Sequence, residues 1–226
     1  MFHVKHHLSQ LKDDMIIPEF EPEPAVAAAV FGEQIEVARA FTRDLAQYGE
    51  LLGLIGPLEL PRLWTRHVIN SGLVAPLIQQ GARVGDVGSG AGLPGLVLAL
   101  ARPDAAFVLI EPMERRTAWL TEEAARLGLT NVEVLRSRAE DVRLPAKLDQ
   151  VTARAVSALR TLIPLTAPLV RPGGQLILMK GAAAEAEIGA AEKQIRRFRL
   201  SSPEVLVLGS ELDTEITRVV RATVGS

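Results

Sequence analysis

The decapeptide Asp86-Val87-Gly88-Ser89-Gly90-Ala91-Gly92-Leu93-Pro94-Gly95 constrains this chain more than any other stretch. It follows directly on the short apolar run Val84-Gly85-Asp86-Val87, which reads as a buried strand. Glycine tolerates positive φ and leaves no Cβ between the backbone and a ligand. Pro94 suits the first turn of a helix, and Leu96 to Ala101 is apolar on all sides, as in a helix lying on a sheet. A strand, a bare-backbone turn and a helix in that order predict an open α/β sheet, in which ligands bind at the carboxyl ends of the strands. Glu111 closes the next apolar run, Phe107-Val108-Leu109-Ile110, 19 residues after Gly92. A carboxylate at that place can accept both ribose hydroxyls of an adenosine.

The rest of the chain keeps this rhythm. Further strands are expected at Val132 to Leu135, within Leu148 to Val156, and at Leu176 to Met179 after a turn at Pro172-Gly173-Gly174. Val205 to Leu208 and Thr217 to Val224 are close enough in sequence to pair antiparallel. Helical spacing runs through Arg116, Leu120, Ala124 and Leu127 up to Gly128, through Leu159 to Leu169 with a bend at Pro164, and through Ile188 to Phe198. The fold class is therefore α/β, with a mostly parallel seven-stranded sheet and an antiparallel last strand. Before the sheet, Phe31, Ile35, Ala38, Phe41, Leu45, Tyr48 and Leu52 recur at steps of three and four and predict one amphipathic helix. A second, short helix is expected around Leu63-Trp64 and Val68-Ile69. Prolines alternating with charges at 18–24 cannot sustain a helix or a central strand. The expected organisation is a flexible arm over 1–24, a helical extension over 25–78 acting as a substrate platform, and a ligand-binding core over 79–226.

Composition narrows the chemistry. The 226 residues include no cysteine, which excludes disulfides, thiolate zinc sites and any cysteine nucleophile, including the covalent route to pyrimidine C5 methylation. No apolar run approaches the roughly 20 residues of a membrane span, and the first residues lack the apolar region of a secretory signal, so no membrane partner is expected. His3, His6 and His7 have no companion carboxylate at ligand spacing, so no metal is expected. With a formal net charge of −2, a nucleic acid must be held by a local basic patch, not by bulk charge.

Two cofactors fit the loop. Gly90-Ala91-Gly92-Leu93-Pro94-Gly95 matches the dinucleotide pattern G-x-G-x-x-G, a weak signal alone. Anchored one step earlier, on Asp86, Gly88, Gly90 and Gly92, it is the loop of S-adenosylmethionine-dependent methyltransferases. Charge favours the second reading: a pyrophosphate avoids a nearby anion, whereas the methionyl ammonium welcomes Asp86. Ala139-Glu140-Asp141, after the third strand, can present a backbone N–H and a polar side chain to an adenine edge. Too few residues remain for the substrate domain of a dehydrogenase. The fourth strand reads Val151-Thr152-Ala153-Arg154-Ala155, without the Asn/Asp-Pro-Pro-aromatic motif of amino methylases. A ring nitrogen with a free lone pair remains as acceptor, for which orientation and desolvation suffice and no general base is expected.

Leu63-Trp64-Thr65-Arg66-His67-Val68-Ile69-Asn70-Ser71, the glycine decapeptide, Ser137-Arg138-Ala139-Glu140, Thr152-Ala153-Arg154-Ala155 and Met179-Lys180-Gly181 occur in the order found in the RsmG family, also called glucose-inhibited division protein B. The chain resembles that family from about residue 30 onward. The resemblance implies a Rossmann-like methyltransferase fold and N7 methylation of one guanine in 16S ribosomal RNA of the small ribosomal subunit, with S-adenosylmethionine, in the bacterial cytoplasm. By position it implies donor contacts at Gly88, Leu93, Ala139, Glu140 and Arg154, which Gly90, Gly92 and Glu111 join from the loop argument. For Arg154 the structural alternative is an ion pair with Asp149 or Glu111. Candidates for RNA contact are Arg66, His67, Arg115, Arg116, Arg138 and Lys180. Trp64 and Trp119 are expected in the core. A methyltransferase for a small molecule shares the same donor site, and a dinucleotide- or RNA-binding module without catalysis is the rival of another class.

Overall fold

Apolar runs of four or five residues, buried on both faces, become the centre of the sheet. The computed structural model describes residues 17–225, in which β1 (Arg83–Val87), β2 (Ala106–Ile110), β3 (Val132–Leu135), β4 (Leu148–Arg154), β5 (Val170–Lys180), β6 (Leu200–Leu208) and β7 (Thr217–Val224) form one sheet. Its order is β3-β2-β1-β4-β5-β7-β6. The first five strands pair parallel, and β7 alone runs against its neighbours β5 and β6. This is the expected mostly parallel sheet closed by an antiparallel strand.

The helices are α1 (Val26–Phe31), α2 (Ile35–Tyr48), α3 (Leu63–Ile69, wound in wide π turns and continued by Asn70–Gly72), α4 (Gly95–Ala101), α5 (Glu114–Arg126), α6 (Leu159–Thr166), α7 (Ala184–Ala190) and α8 (Glu192–Arg197). Successive strand residues point to opposite faces. Phe107 and Leu109 accordingly join the cluster containing Leu96 and Leu98 of α4, whereas Val108 and Ile110 join Leu159, Leu162 and Ile163 of α6. Phe41 and Leu45 of α2 and Leu63, Trp64, Val68 and Ile69 of α3 lie in the same cluster as α4. The extension thus shares one apolar core with the sheet. A partly buried ionic contact adds to it, with Arg126 of α5 held between Asp44 of α2 and the buried Glu123. Burial pushes the Glu123 carboxyl up to about 7.

Three local expectations need correction. The single helix from Phe31 to Leu52 is two helices, because a 3-10 turn at Gly32–Gln34, with Gly32 at φ +50°, interrupts the rhythm; α2 then ends at Tyr48, before Leu52. Pro172-Gly173-Gly174 does not precede β5 but lies inside it: pairing with β4 begins at Val170, slips, and resumes at Gln175. The helix through Ile188 to Phe198 is broken at Ala191 into α7 and α8. Of the segment expected as an arm, residues 17–24 are described; they are irregular, the Glu21 N–H donates to Leu60 O (2.9 Å) and the Glu21 carboxylate accepts the Thr65 N–H (2.9 Å). His3, His6 and His7 lie outside the described residues. Among the described residues no helix is long and apolar enough to cross a membrane.

Candidate active site

At the carboxyl ends of β1, β2 and β4 the chain surrounds a cavity of about 640 Å³, lined in part by Gly88, Glu111, Met113, Ala139, Glu140 and Val156. The glycine loop shapes its floor. Gly88 has φ +73°, and a Cβ there would stand 2.9 Å from Val156 Cγ2. Gly92, at φ +94°, lets the loop fold back onto α4, where a Cβ would collide with Leu96 Cδ1 at 2.5 Å. The Gly90 N–H donates to Glu111 Oε2 and the Met113 N–H to Oε1, each at 3.0 Å. Each Glu111 oxygen has further lone-pair capacity after these bonds, which is what a pair of ribose hydroxyls would need. The Trp119 indole N–H fastens the loop from beneath through Ala91 O at 3.0 Å.

Of the eight predicted donor residues, Gly88, Glu111, Ala139, Glu140 and Arg154 line this cavity. Gly90 and Gly92 build the loop, and Leu93 is buried in the core beside it. Asp86 corrects the electrostatic expectation. It does not reach toward a ligand ammonium: Oδ2 accepts the Gly95 N–H (3.0 Å), Oδ1 accepts the Thr152 hydroxyl (3.1 Å), and the side chain is wholly buried. Burial pushes its carboxyl up to about 6, against the lowering effect of those hydrogen bonds. Asp86 therefore staples β1, β4 and the start of α4.

A second cavity, of about 350 Å³, lies beside the first and is lined by Arg66, Asn70, Lys180, Glu215 and Arg218, among others. Arg154 and Ala155 line both. Ala155 adopts φ +55°, the left-handed region, at the point where the chain turns between the two spaces. Arg154 pairs with neither Asp149 nor Glu111. Its guanidinium is held by α3 instead, with Nη2 donating to Arg66 O (3.0 Å) and to His67 Nδ1 (2.8 Å). Burial, reinforced by the nearby Arg66, lowers its pKa to about 10, so it stays cationic at neutral pH.

The RNA candidates divide. Arg66 and Lys180 line the second cavity; Lys180 Nζ also donates to Ser157 O (2.7 Å) and meets Glu187 Oε2 at 2.8 Å. Arg116 and Arg138 line the first cavity, and Arg116 Nε is buried without a hydrogen-bond partner among the described residues. Arg115 is exposed beside Gly53 and lines neither cavity. His67 is buried, with both ring nitrogens engaged: Nε2 lies 2.6 Å from Glu59 Oε2. Burial and the Arg154 charge push its pKa down to about 4. Trp64 and Trp119 are core residues, as expected. Sequence reasoning missed Glu59 and Arg218. Nothing local marks Glu59, eight residues before His67, and Arg218 reads as an outward position of an alternating strand. Among the described residues no group of three or more His, Asp or Glu side chains could hold a metal ion.

Strand order, glycine loop and the acid ending β2 together define a Rossmann-like chain of the methyltransferase fold. Solved structures share it: a SAM-dependent methyltransferase from Aquifex aeolicus (TM-score 0.56, 20% identity, 78% of this chain and 97% of that one) and the tRNA (m1A58) methyltransferase of the same organism (TM-score 0.54, 15% identity, 70% and 69%). Residues 34–213 match the family described as rRNA small subunit methyltransferase G, and the chain belongs to that family. Proteins named ribosomal RNA small subunit methyltransferase G are 64% identical in Leifsonia xyli, over 90% of this chain and 97% of theirs, and 66% identical in Clavibacter michiganensis, over 90% and 96%.

Proposed function

We propose that this protein transfers a methyl group from S-adenosylmethionine to N7 of one guanine in 16S ribosomal RNA of the small ribosomal subunit, in the cytoplasm. The observation that carries this reading is the pair of adjoining cavities with Arg154 and Ala155 on both walls. The first cavity has the size and mixed lining of a nucleoside site, and the acid that ends β2 faces it. Gly88, Glu111, Ala139 and Glu140 would hold the adenosine part there, with Arg154 at the end toward the second cavity. When bound, the donor supplies a methyl group made electrophilic by a positively charged sulfur.

The second cavity is cationic. Arg66, Arg154, Lys180 and Arg218 gather in one place in a chain whose formal net charge is −2. That is the local patch an RNA acceptor requires. Its one lining acid, Glu215, is taken up by Arg62 (3.2 Å) and Arg66 (3.9 Å). Its acid is already ion-paired, and an acceptor atom that carries a free lone pair, as guanine N7 does, asks for no base. The work left for the residues is to orient the base and exclude water. The extension over 25–78, which supplies Arg66 and Asn70, acts as the platform under the RNA.

The test is incubation of the protein and labelled S-adenosylmethionine with small ribosomal subunits that lack the modification, followed by mass mapping of the RNA. Label on a single guanine N7 is the expected result. Label only on small metabolites would instead establish a small-molecule methyltransferase, and binding of NADH in place of S-adenosylhomocysteine would remove methyl transfer altogether.

A further inference from the structure

Arg154 separates the two cavities, yet among the described residues none of its hydrogen-bond partners is an acid. Its Nη2 donates to His67 Nδ1 at 2.8 Å and to Arg66 O at 3.0 Å, while Nη1 lies 3.5 Å from both His67 O and Ser71 Oγ. A guanidinium has only donors. His67 Nδ1 must therefore present a lone pair, and the ring proton must sit on Nε2. On that side, Glu59 Oε2 lies at 2.6 Å and can accept it. The opposite tautomer would set two donors, Nδ1–H and Nη2–H, against each other across 2.8 Å. A protonated ring would add charge repulsion to the same clash.

We propose that Glu59 is a positioning residue for methyl transfer: by holding the proton of His67 on Nε2, it aims the Arg154 guanidinium along the wall between the donor and acceptor cavities. The chain Glu59–His67–Arg154 links the segment before α3, α3 itself and the end of β4. It lets a partly exposed carboxylate in the extension set the orientation of a cation in the sheet's crevice. Glu59 also lies 3.6 Å from Arg66 Nε, so its charge and its hydrogen bond must be told apart. The inference rests on the methyltransferase reading above, but its central element, the tautomer, is observable without any substrate.

The experiment combines two variants with a spectroscopic readout. Glu59→Ala removes the acceptor for Nε2–H. Glu59→Gln removes the charge but keeps a carbonyl that can accept the same proton. On ribosomal subunits, Glu59→Ala is expected to lower kcat about tenfold or more, and, because Arg154 also lines the donor cavity, to weaken S-adenosylhomocysteine binding by a smaller factor. Glu59→Gln is expected to keep kcat within about threefold. Imidazole 15N spectra, with His67 assigned by the signal lost in His67→Asn, should show the proton on Nε2 in wild type and Glu59→Gln, and a tautomer mixture in Glu59→Ala. Equal losses of kcat in Ala and Gln variants, or none in either, overturn the proposal, as does a wild-type His67 ring protonated on Nδ1. If Glu59→Ala does not fold, wild-type and Glu59→Gln spectra and rates decide alone. A wild-type protein inactive on subunits but carrying the Nε2 proton sinks the functional reading and leaves the tautomer standing.

Discussion

The two cavities are built from different materials. The donor cavity is lined by Arg116, Arg138 and Arg154 as well, but its floor is backbone: a loop fixed by Gly90 N–H on Glu111, Ala91 O under Trp119 and Gly95 N–H on Asp86, all contributed between β1 and α5. The acceptor cavity is made of cationic side chains brought in from α3, β4, β5 and β7. Hydrogen bonds to a buried carboxylate have no substitute when the carboxylate goes, whereas four cations around one space share their effect. A single substitution should therefore act sharply in the first cavity and by degrees in the second.

The largest effect is expected for Glu111→Ala, which removes the acceptor of two backbone N–H groups and of the proposed ribose hydroxyls. Hydrogen bonds to a charged group contribute about 1.5–3 kcal/mol, so S-adenosylhomocysteine should bind about 10- to 100-fold more weakly by calorimetry. Affinity for ribosomal subunits should stay within about twofold; a parallel loss there would dissolve the distinction between the cavities.

Arg218→Ala should have the intermediate effect. Arg218 lines the acceptor cavity and makes no ion pair among the described residues. Its removal should lower kcat/KM on subunits about tenfold, reduce the salt dependence of RNA binding by about one unit of slope, and leave donor affinity alone. A change in donor affinity would show that the arginine reaches past the partition.

Asp86→Asn sharpens the contrast from the structural side and is expected to have the smallest effect on binding. The Asp86 carboxyl is raised by burial from 3.8 to about 6, so between those values the folded protein holds a proton that the unfolded chain has released. Stability contributed by this group is present below about 4 and declines as pH rises toward 6. Urea titrations of Asp86→Asn should show that decline flattened, with donor affinity within about threefold of wild type. A larger loss of affinity would restore Asp86 to the ligand's surroundings.

The same division governs what the sequence made legible. β1 and β2 could be placed because their apolar runs match, almost residue for residue, what a doubly covered sheet needs, β3 because Val132, Val134 and Leu135 mark a strand even at the half-exposed edge, and the loop because glycines at 88, 90 and 92 have a local cause. Glu111 was legible as the acid ending β2. The break at Gly32–Gln34 was not, since Phe31 and Ile35 keep helical spacing across it. Pro172-Gly173-Gly174 reads as a turn, yet its strand is paired on both sides and absorbs it as an irregularity. Arg154 was placed at the crevice, but its partners come from α3, more than eighty residues earlier, and no spacing rule relates them. Asp86 was assigned to the ligand because its charge suited one; that its oxygens are taken by Gly95 and Thr152 became visible only with β4 in place across the sheet.

One residue at the boundary between the cavities carries a cost. Ala155 sits at φ +55°, where an L-residue is strained by about 1–2 kcal/mol and glycine is not. Ala155→Gly would relieve that strain while giving the hinge between β4 and Val156 new freedom. Glycine there should raise the melting temperature while loosening the wall that the two cavities share, so heat tolerance and turnover are expected to move in opposite directions in that variant.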